Sequence, residues 1–257
     1  MNVSKINNHE ASFFRDKKNT DGKTFILTDK SVGILNSDEV LNYTECKRDN
    51  GDTSFYYEEK FDKTQIVIHF TAGYLKGDLS ALTKSDNHVS TPFLIARNGK
   101  ILNLFSADFW SYHLGPGAVG GNKNGGKRTI AIEMSNIGYL KKVGDNLATS
   151  YGDADIYCSL NDTASYIKLD RPFRGQEYYA TLTETQYESL IVLLRYLTNE
   201  YKIPRNFLDI DKRFETGTPE GIPNFKGIVS HINYRDSGKW DFGQAYDWDK
   251  LITGVIR

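Results

Sequence analysis

Residues 65–70 read QIVIHF, a short β-branched run that ends at His69–Phe70 before the turn-prone TAG of 71–73. Such a run makes a buried strand. Two more of the same kind follow, RTIAIEMS at 128–135 and GIVSH at 227–231. Between the first and second, PFLIARNGKILNLF (92–105) reads as a hairpin turning at Asn98-Gly99, the strongest short-range hairpin signal. TLTETQYESLIVLLRYLTNEY (181–201) places Tyr187, Leu190, Ile191, Leu194, Leu197 and Tyr201 on one helical stripe. A Thr183/Gln186 capping box opens it. AYDWDKLI (245–252) reads as a short closing helix. Strands interleaved with helices and a hairpin predict an α/β fold, a central mixed β-sheet flanked by helices.

Outside these runs the chain is harder to order. Residues 1–60 are polar and punctuated, with strand-like runs at TFIL (24–27) and SFYYEE (54–59). They are read as an N-terminal extension of unknown role ahead of a main domain at 61–257. The stretches 136–182 and 204–225 are read as long loop insertions, which in a compact domain are usually functional or disordered. GNKNGGKR (121–128) has the glycine and lysine spacing of a phosphate-binding loop. Arg128 stands where that loop needs a hydroxyl, and a strand follows where a helix should, so the stretch is read as a flexible loop.

The 257 residues suffice for one well-packed domain with elaborations. A formal net charge of -1, with both signs mixed along the chain, leaves no basic footprint for nucleic acid. Cys46 and Cys158 stand far apart without a C-x-x-C spacing and are read as plain thiols. No apolar run has membrane-spanning length, and the first twenty residues lack the apolar core of a secretory signal. The expectation is a chain made in the cytoplasm, with no membrane insertion.

The chemistry concentrates at the strand ends. His69 and His231 each close a strand-like run, where a side chain can leave the sheet for a cleft. Imidazole is the commonest zinc ligand, and a catalytic zinc characteristically takes three protein ligands and leaves a fourth position for water. Asp241, ten residues past His231, supplies the third ligand. A dication with a single carboxylate lowers the pKa of bound water toward about 7. Hydroxide attacking an amide then needs a group to carry its proton to the departing amine. Glu133 fits, because a carboxylate inside IAIEM is costly unless it faces a polar cleft or a cation. Pairing with a lysine or arginine would satisfy it equally. Lys239 and His113, in WSYHLGPG, offer donors for a developing oxyanion. A solvated loop lysine, and a histidine that supports a ligand or touches substrate, are the alternatives for those two positions.

IVIHFTAG, VSTPFLIARNGKI, YHLG, TIAIEMSN, TETQYESLIVLLRYL and SHINYRDSGKWDFGQAYDW follow one another between about Gln65 and Trp248. In that order they resemble the zinc-dependent N-acetylmuramoyl-L-alanine amidases, a family that includes phage amidase lysozymes, muropeptide-recycling amidases and peptidoglycan recognition proteins. The resemblance implies Zn²⁺ on His69, His231 and Asp241, Glu133 as catalytic carboxylate and Lys239 as active-site lysine. His113 resembles a histidine that the family shows in a Trp-His-Ala-Gly setting. The implied reaction is hydrolysis of the amide between the lactyl group of muramic acid and L-alanine of the stem peptide, with peptidoglycan or muropeptide as partner. Thr91 stands where many members carry an assisting tyrosine, and with Asn136 it is read as a substrate-binding position. Phe70 and Tyr112 depart from the family's usual His-His-Thr and Trp-His patterns. A peptidoglycan-binding module without activity, and a zinc hydrolase of another amide, are the competing readings. Lysis, dedicated export and cytosolic recycling all remain open as settings.

Overall fold

At the centre of the computed structural model, which describes residues 2–257, the run at 65–70 is a fully buried strand. In chain order the first half comprises α1 (Val3–Asp16), β1 (Phe25–Gly33), β2 (Val40–Arg48), β3 (Gln65–Phe70), α2 (Leu75–Leu82), β4 (Phe93–Ile95) and β5 (Ile101–Asn103). α3 (Asn122–Arg128) leads directly into β6 (Thr129–Met134). The strands β7 (Tyr139–Val143), β8 (Asn146–Ala148), β9 (Ile156–Ser159), β10 (Tyr166–Phe173) and β11 (Gln176–Ala180) follow. The chain closes with α4 (Glu184–Glu200), α5 (Ile210–Arg213), β12 (Gly227–Ser230) and α6 (Trp248–Ile256).

Among the described residues, seven strands form a mixed sheet in the order β1-β2-β5-β4-β6-β3-β12. β12, β3, β6 and β4 run parallel, β5 returns antiparallel to β4, and β1 and β2 form an antiparallel hairpin whose β2 joins β5. Side chains alternate across a strand, so each central strand feeds two different layers. Ile66, Ile68, Ile130, Ile132 and Ile228 point to one face, where Leu190, Leu194 and Leu197 of α4 and Leu251 of α6 cover them. On the other face Val67 and Val229 pack with Leu114, Ile222 and Tyr234, which arrive on irregular segments. The helix α4 is capped as its sequence predicts: Thr183 accepts from the Gln186 amide and the Gln186 side chain accepts from the Thr183 amide.

Several expectations give way. The stretch 136–182 is not a loop: it builds a second, antiparallel sheet in the order β10-β11-β7-β8-β9. SFYYEE is not a strand, because Asp52 accepts from both the amide and the hydroxyl of Ser54 and forms a turn there. The strand lies earlier, at β2, so much of the N-terminal extension belongs to the main sheet. α1, which the reading missed, is anchored by Glu10, whose carboxylate accepts from the Arg97 and Asn98 amides of the β4–β5 hairpin. GNKNGGKR forms the short α3 rather than a flexible loop. A Cβ on Gly126 would come within 2.5 Å of the Ser111 carbonyl, so the glycine permits close approach of two backbones. No helix among the described residues is long and apolar enough to cross a membrane.

Candidate metal centre

The register of the sheet assembles the site. β3 and β6 pair with His69 opposite Glu133, and β12 pairs Ser230 with Ile68, which leaves His231 beside His69. After β12 the chain makes a single 3-10 turn at His231–Asn233. It then returns through an irregular loop that the Ile232 amide closes on the Asp241 carbonyl at 2.9 Å. The loop thereby delivers Asp241 to the two histidines. Their side chains are buried, His69 and His231 at 1% exposure and Asp241 at 3%.

Three donor atoms converge. His69 Nδ1 and His231 Nδ1 are 2.8 Å apart, and Asp241 Oδ2 lies 3.3 Å from the first and 3.0 Å from the second. Zinc at 2.0–2.1 Å from tetrahedral ligands separates neighbouring ligand atoms by about 3.3 Å, so this triangle has the dimensions of one face of such a site.

The surrounding hydrogen bonds show what that triangle lacks. Thr129 donates its hydroxyl proton to the Gly125 carbonyl at 2.9 Å, so His113 Nε2, 2.6 Å from the Thr129 hydroxyl oxygen, must be the donor to it. In neutral His113 the proton-free Nδ1 then accepts from His69 Nε2 at 3.1 Å. That leaves His69 Nδ1 bare. His231 Nε2 lies 2.8 Å from the Leu114 carbonyl, which can only accept, so neutral His231 also presents a bare Nδ1. With both imidazoles neutral, two nitrogen lone pairs and a carboxylate face one another with no proton between them. A bound cation satisfies all three, and the set of two imidazoles and one carboxylate suits zinc.

A proton on either imidazole would instead be drawn to Asp241, and the electrostatics of the metal-free site reflect that attraction. Burial, reinforced by His231, pushes His69 down to about 4. Burial opposes the charged form of Asp241, but His231, His69 and Lys239 outweigh it and hold the carboxyl well below its usual range. Burial and the negative charge of Asp241 raise Glu133 well above the ordinary carboxyl range, with the Lys239 charge acting in the opposite direction. Glu133 is half-buried, and its Oε2 is enclosed without a hydrogen-bond partner. The alternative of an ion pair satisfying Glu133 is therefore not what the fold provides.

The other predicted positions divide. Lys239 is half-buried, and its charge acts on His69, Glu133 and Asp241. His113 is not placed to stabilise an oxyanion, because both of its ring nitrogens are engaged behind His69. Thr91 is buried and gives its hydroxyl to the Phe93 carbonyl, so it does not face substrate. Asn136 is buried too: its amide donates to the Thr181 carbonyl and its oxygen accepts from Gly138. It fastens the start of the second sheet instead of meeting a ligand. Thr129 escaped the sequence reading, and only its hydrogen bonds with His113 and Gly125 reveal it. A cleft of about 660 Å³ beside β2 and the C-terminal end of α4 is lined by none of the metal-centre residues.

Comparison with known proteins follows the same region. The family model for N-acetylmuramoyl-L-alanine amidase matches residues 61–244. Among solved structures, the N-acetylmuramyl-L-alanine amidase AmiD from E. coli aligns at 21% identity with a TM-score of 0.48, covering 77% of this chain and 59% of that one. The endolysin amidase LysCS from Clostridium intestinale URNW aligns at 15% identity with a TM-score of 0.41, covering 76% and 85%. PlyL aligns at 13% identity with a TM-score of 0.45, covering 82% and 94%. The chain thus spans less than two thirds of AmiD's length. The comparison with curated proteins found no match.

Proposed function

The chain belongs to the N-acetylmuramoyl-L-alanine amidase family, and from that premise we propose that it hydrolyses the muramoyl–L-alanine amide of peptidoglycan with zinc held by His69, His231 and Asp241. One observation carries this reading: two imidazole nitrogens and a carboxylate oxygen meet in a triangle of zinc-site dimensions, beside a carboxylate with an unpartnered oxygen. When bound, zinc supplies Lewis-acid polarisation and an activated water. The chain's own residues do the rest. Glu133 accepts the proton of the attacking water and passes it to the departing amine, the transfer without which amide cleavage stalls. The Lys239 ammonium offsets the negative charge that grows on the former carbonyl oxygen. His113, held by Thr129, keeps the proton of His69 on Nε2 and so keeps Nδ1 available.

The complete ligand set supports an enzyme over a binding module. Purified wild-type protein is expected to carry about one zinc per chain, measured by elemental analysis, and to release peptide from muropeptides with a free L-alanine amine. His231→Ala should lose both properties. A zinc-free protein with full activity overturns the mechanism, and zinc-loaded protein that binds muropeptide without cleaving it restores the binding-module reading.

A further inference from the structure

The loop that joins His231 to Asp241 carries two of the three ligands and has little regular structure beyond the single turn at His231–Asn233 and the Ile232–Asp241 backbone hydrogen bond that closes it. Its backbone carbonyls nevertheless need partners where water is excluded. They find one in the inserted sheet. At the tip of the β10–β11 hairpin, Arg174 Nη1 donates to the carbonyls of Arg235 at 2.7 Å and Lys239 at 2.8 Å. Its Nη2 donates to the Ile232 carbonyl at 3.2 Å and to Thr216 Oγ1 at 3.0 Å. The contact is reciprocal, because Trp240 Nε1 donates to the Arg174 carbonyl at 3.0 Å. The Trp240 ring also lies 4.6 Å from that of Tyr139 in β7.

We propose that Arg174 is a positioning residue of the metal centre, and that the inserted sheet serves to hold the loop whose ends are His231 and Asp241. The inference rests on the zinc reading above. Two features of the residue argue for it. Phe173 pairs with Gln176 across a two-residue turn in which Arg174 has φ +48° and Gly175 φ +80°. Such a turn favours asparagine, aspartate or glycine, and an arginine there is held in a strained left-handed conformation. The turn carries the arginine despite this strain, and its guanidinium is spent on the ligand loop. The planar guanidinium carries five donors and serves four acceptors here, more than the three donors of a lysine ammonium could. Arg174 thereby adds, to the Ile232–Asp241 backbone hydrogen bond that closes the loop, a second tie across the segment between two ligands.

Zinc affinity, measured by competition with a chromophoric chelator, tests this directly. Arg174→Met is expected to keep the secondary structure and melting temperature of the metal-free protein while binding zinc about 10- to 100-fold more weakly, as for other partners that orient metal ligands. Amides of 232–241 should exchange faster, and at saturating zinc kcat should fall with little change in KM because Lys239 rides on the same loop. Arg174→Lys should recover only part of the affinity. If Arg174→Met does not fold, Thr216→Val decides: losing the hydroxyl that accepts from the guanidinium and itself donates to the Ile232 carbonyl should weaken zinc about 3- to 10-fold. Wild-type affinity and loop exchange in Arg174→Met, or wild-type affinity in Thr216→Val, overturns the proposal. A wild type that binds no zinc defeats the metal reading itself, and that outcome is separate.

Discussion

The two faces of β3, β6 and β12 are made by alternate residues of the same strands and differ in what covers them and in the polar groups they carry. One presents Ile66, Ile68, Ile130, Ile132 and Ile228 to two helices and excludes water with a continuous apolar layer. The other presents His69 and Glu133 in register, with His231 beside them, beneath irregular segments held both by a smaller apolar cluster around Val67 and Val229 and by hydrogen bonds. A one-residue slip of any strand would exchange the faces. The apolar face therefore sets the register that the chemistry uses. It follows that substitutions on the two faces should separate activity from stability.

The largest expected effect is on the polar face. Glu133→Gln keeps the shape of the side chain and removes its capacity to accept a proton. Muropeptide hydrolysis should fall by about 100- to 10,000-fold, with zinc content and melting temperature retained. Near-normal turnover at full zinc content would assign the proton transfer to another group and break the division between the faces.

The apolar face should show the converse. Ile66 is fully buried on β3, three residues before His69. Truncation to alanine leaves a cavity beneath α4 and should cost about 2–5 kcal/mol in denaturant unfolding. Activity per folded, zinc-loaded molecule should stay within about twofold, since no hydrogen bond of the site is altered. A parallel collapse in kcat would mean that the core tunes the site as well as the register.

How much of this was legible depended on the same contrast. Parallel strands buried on both faces read as near-continuous apolar runs, so β3, β6 and β12 stand out in the sequence. α4 announces itself through its stripe and capping box. The inserted sheet does not, because β10 (YIKLDRPF) is largely solvent-exposed and shows little alternation. α1 carries few apolar residues, burying only Ile6, Glu10 and Phe13, and its glutamate is satisfied by a hairpin far along the chain. α6 begins at Trp248 rather than Ala245 because Asp247 caps it by accepting from the Lys250 amide. Within the site, residues at strand ends were visible, whereas groups defined by a distant partner were not. His113 takes its role from Thr129, and Arg174 from carbonyls on another segment.

The smallest expected effect probes a buried acid close to the polar face that the proposed chemistry does not use. Asp78 on α2 accepts from Ser135 Oγ at 2.7 Å, just beyond the end of β6, and burial pushes its carboxyl up to about 7. Its folded pKa is thus above the unfolded value near 3.9. The stability it contributes is fully present below about pH 4 and is lost as pH rises through about 7, because only the unfolded chain ionises it without penalty. Between pH 5 and pH 8 the wild type should lose on the order of 2 kcal/mol through this group. Glu10 and Glu133 are raised in the same direction, so the informative quantity is the difference from Asp78→Asn. The asparagine keeps an accepting oxygen for Ser135 and cannot ionise, so it should be relatively more stable than wild type at pH 8 than at pH 5. Urea unfolding of both proteins at the two pH values measures this. Parallel stability curves would show that Asp78 is already ionised in the folded protein, stabilised by the Ser135 and Thr71 hydroxyls, and that this side of the sheet tolerates buried charge without a cation.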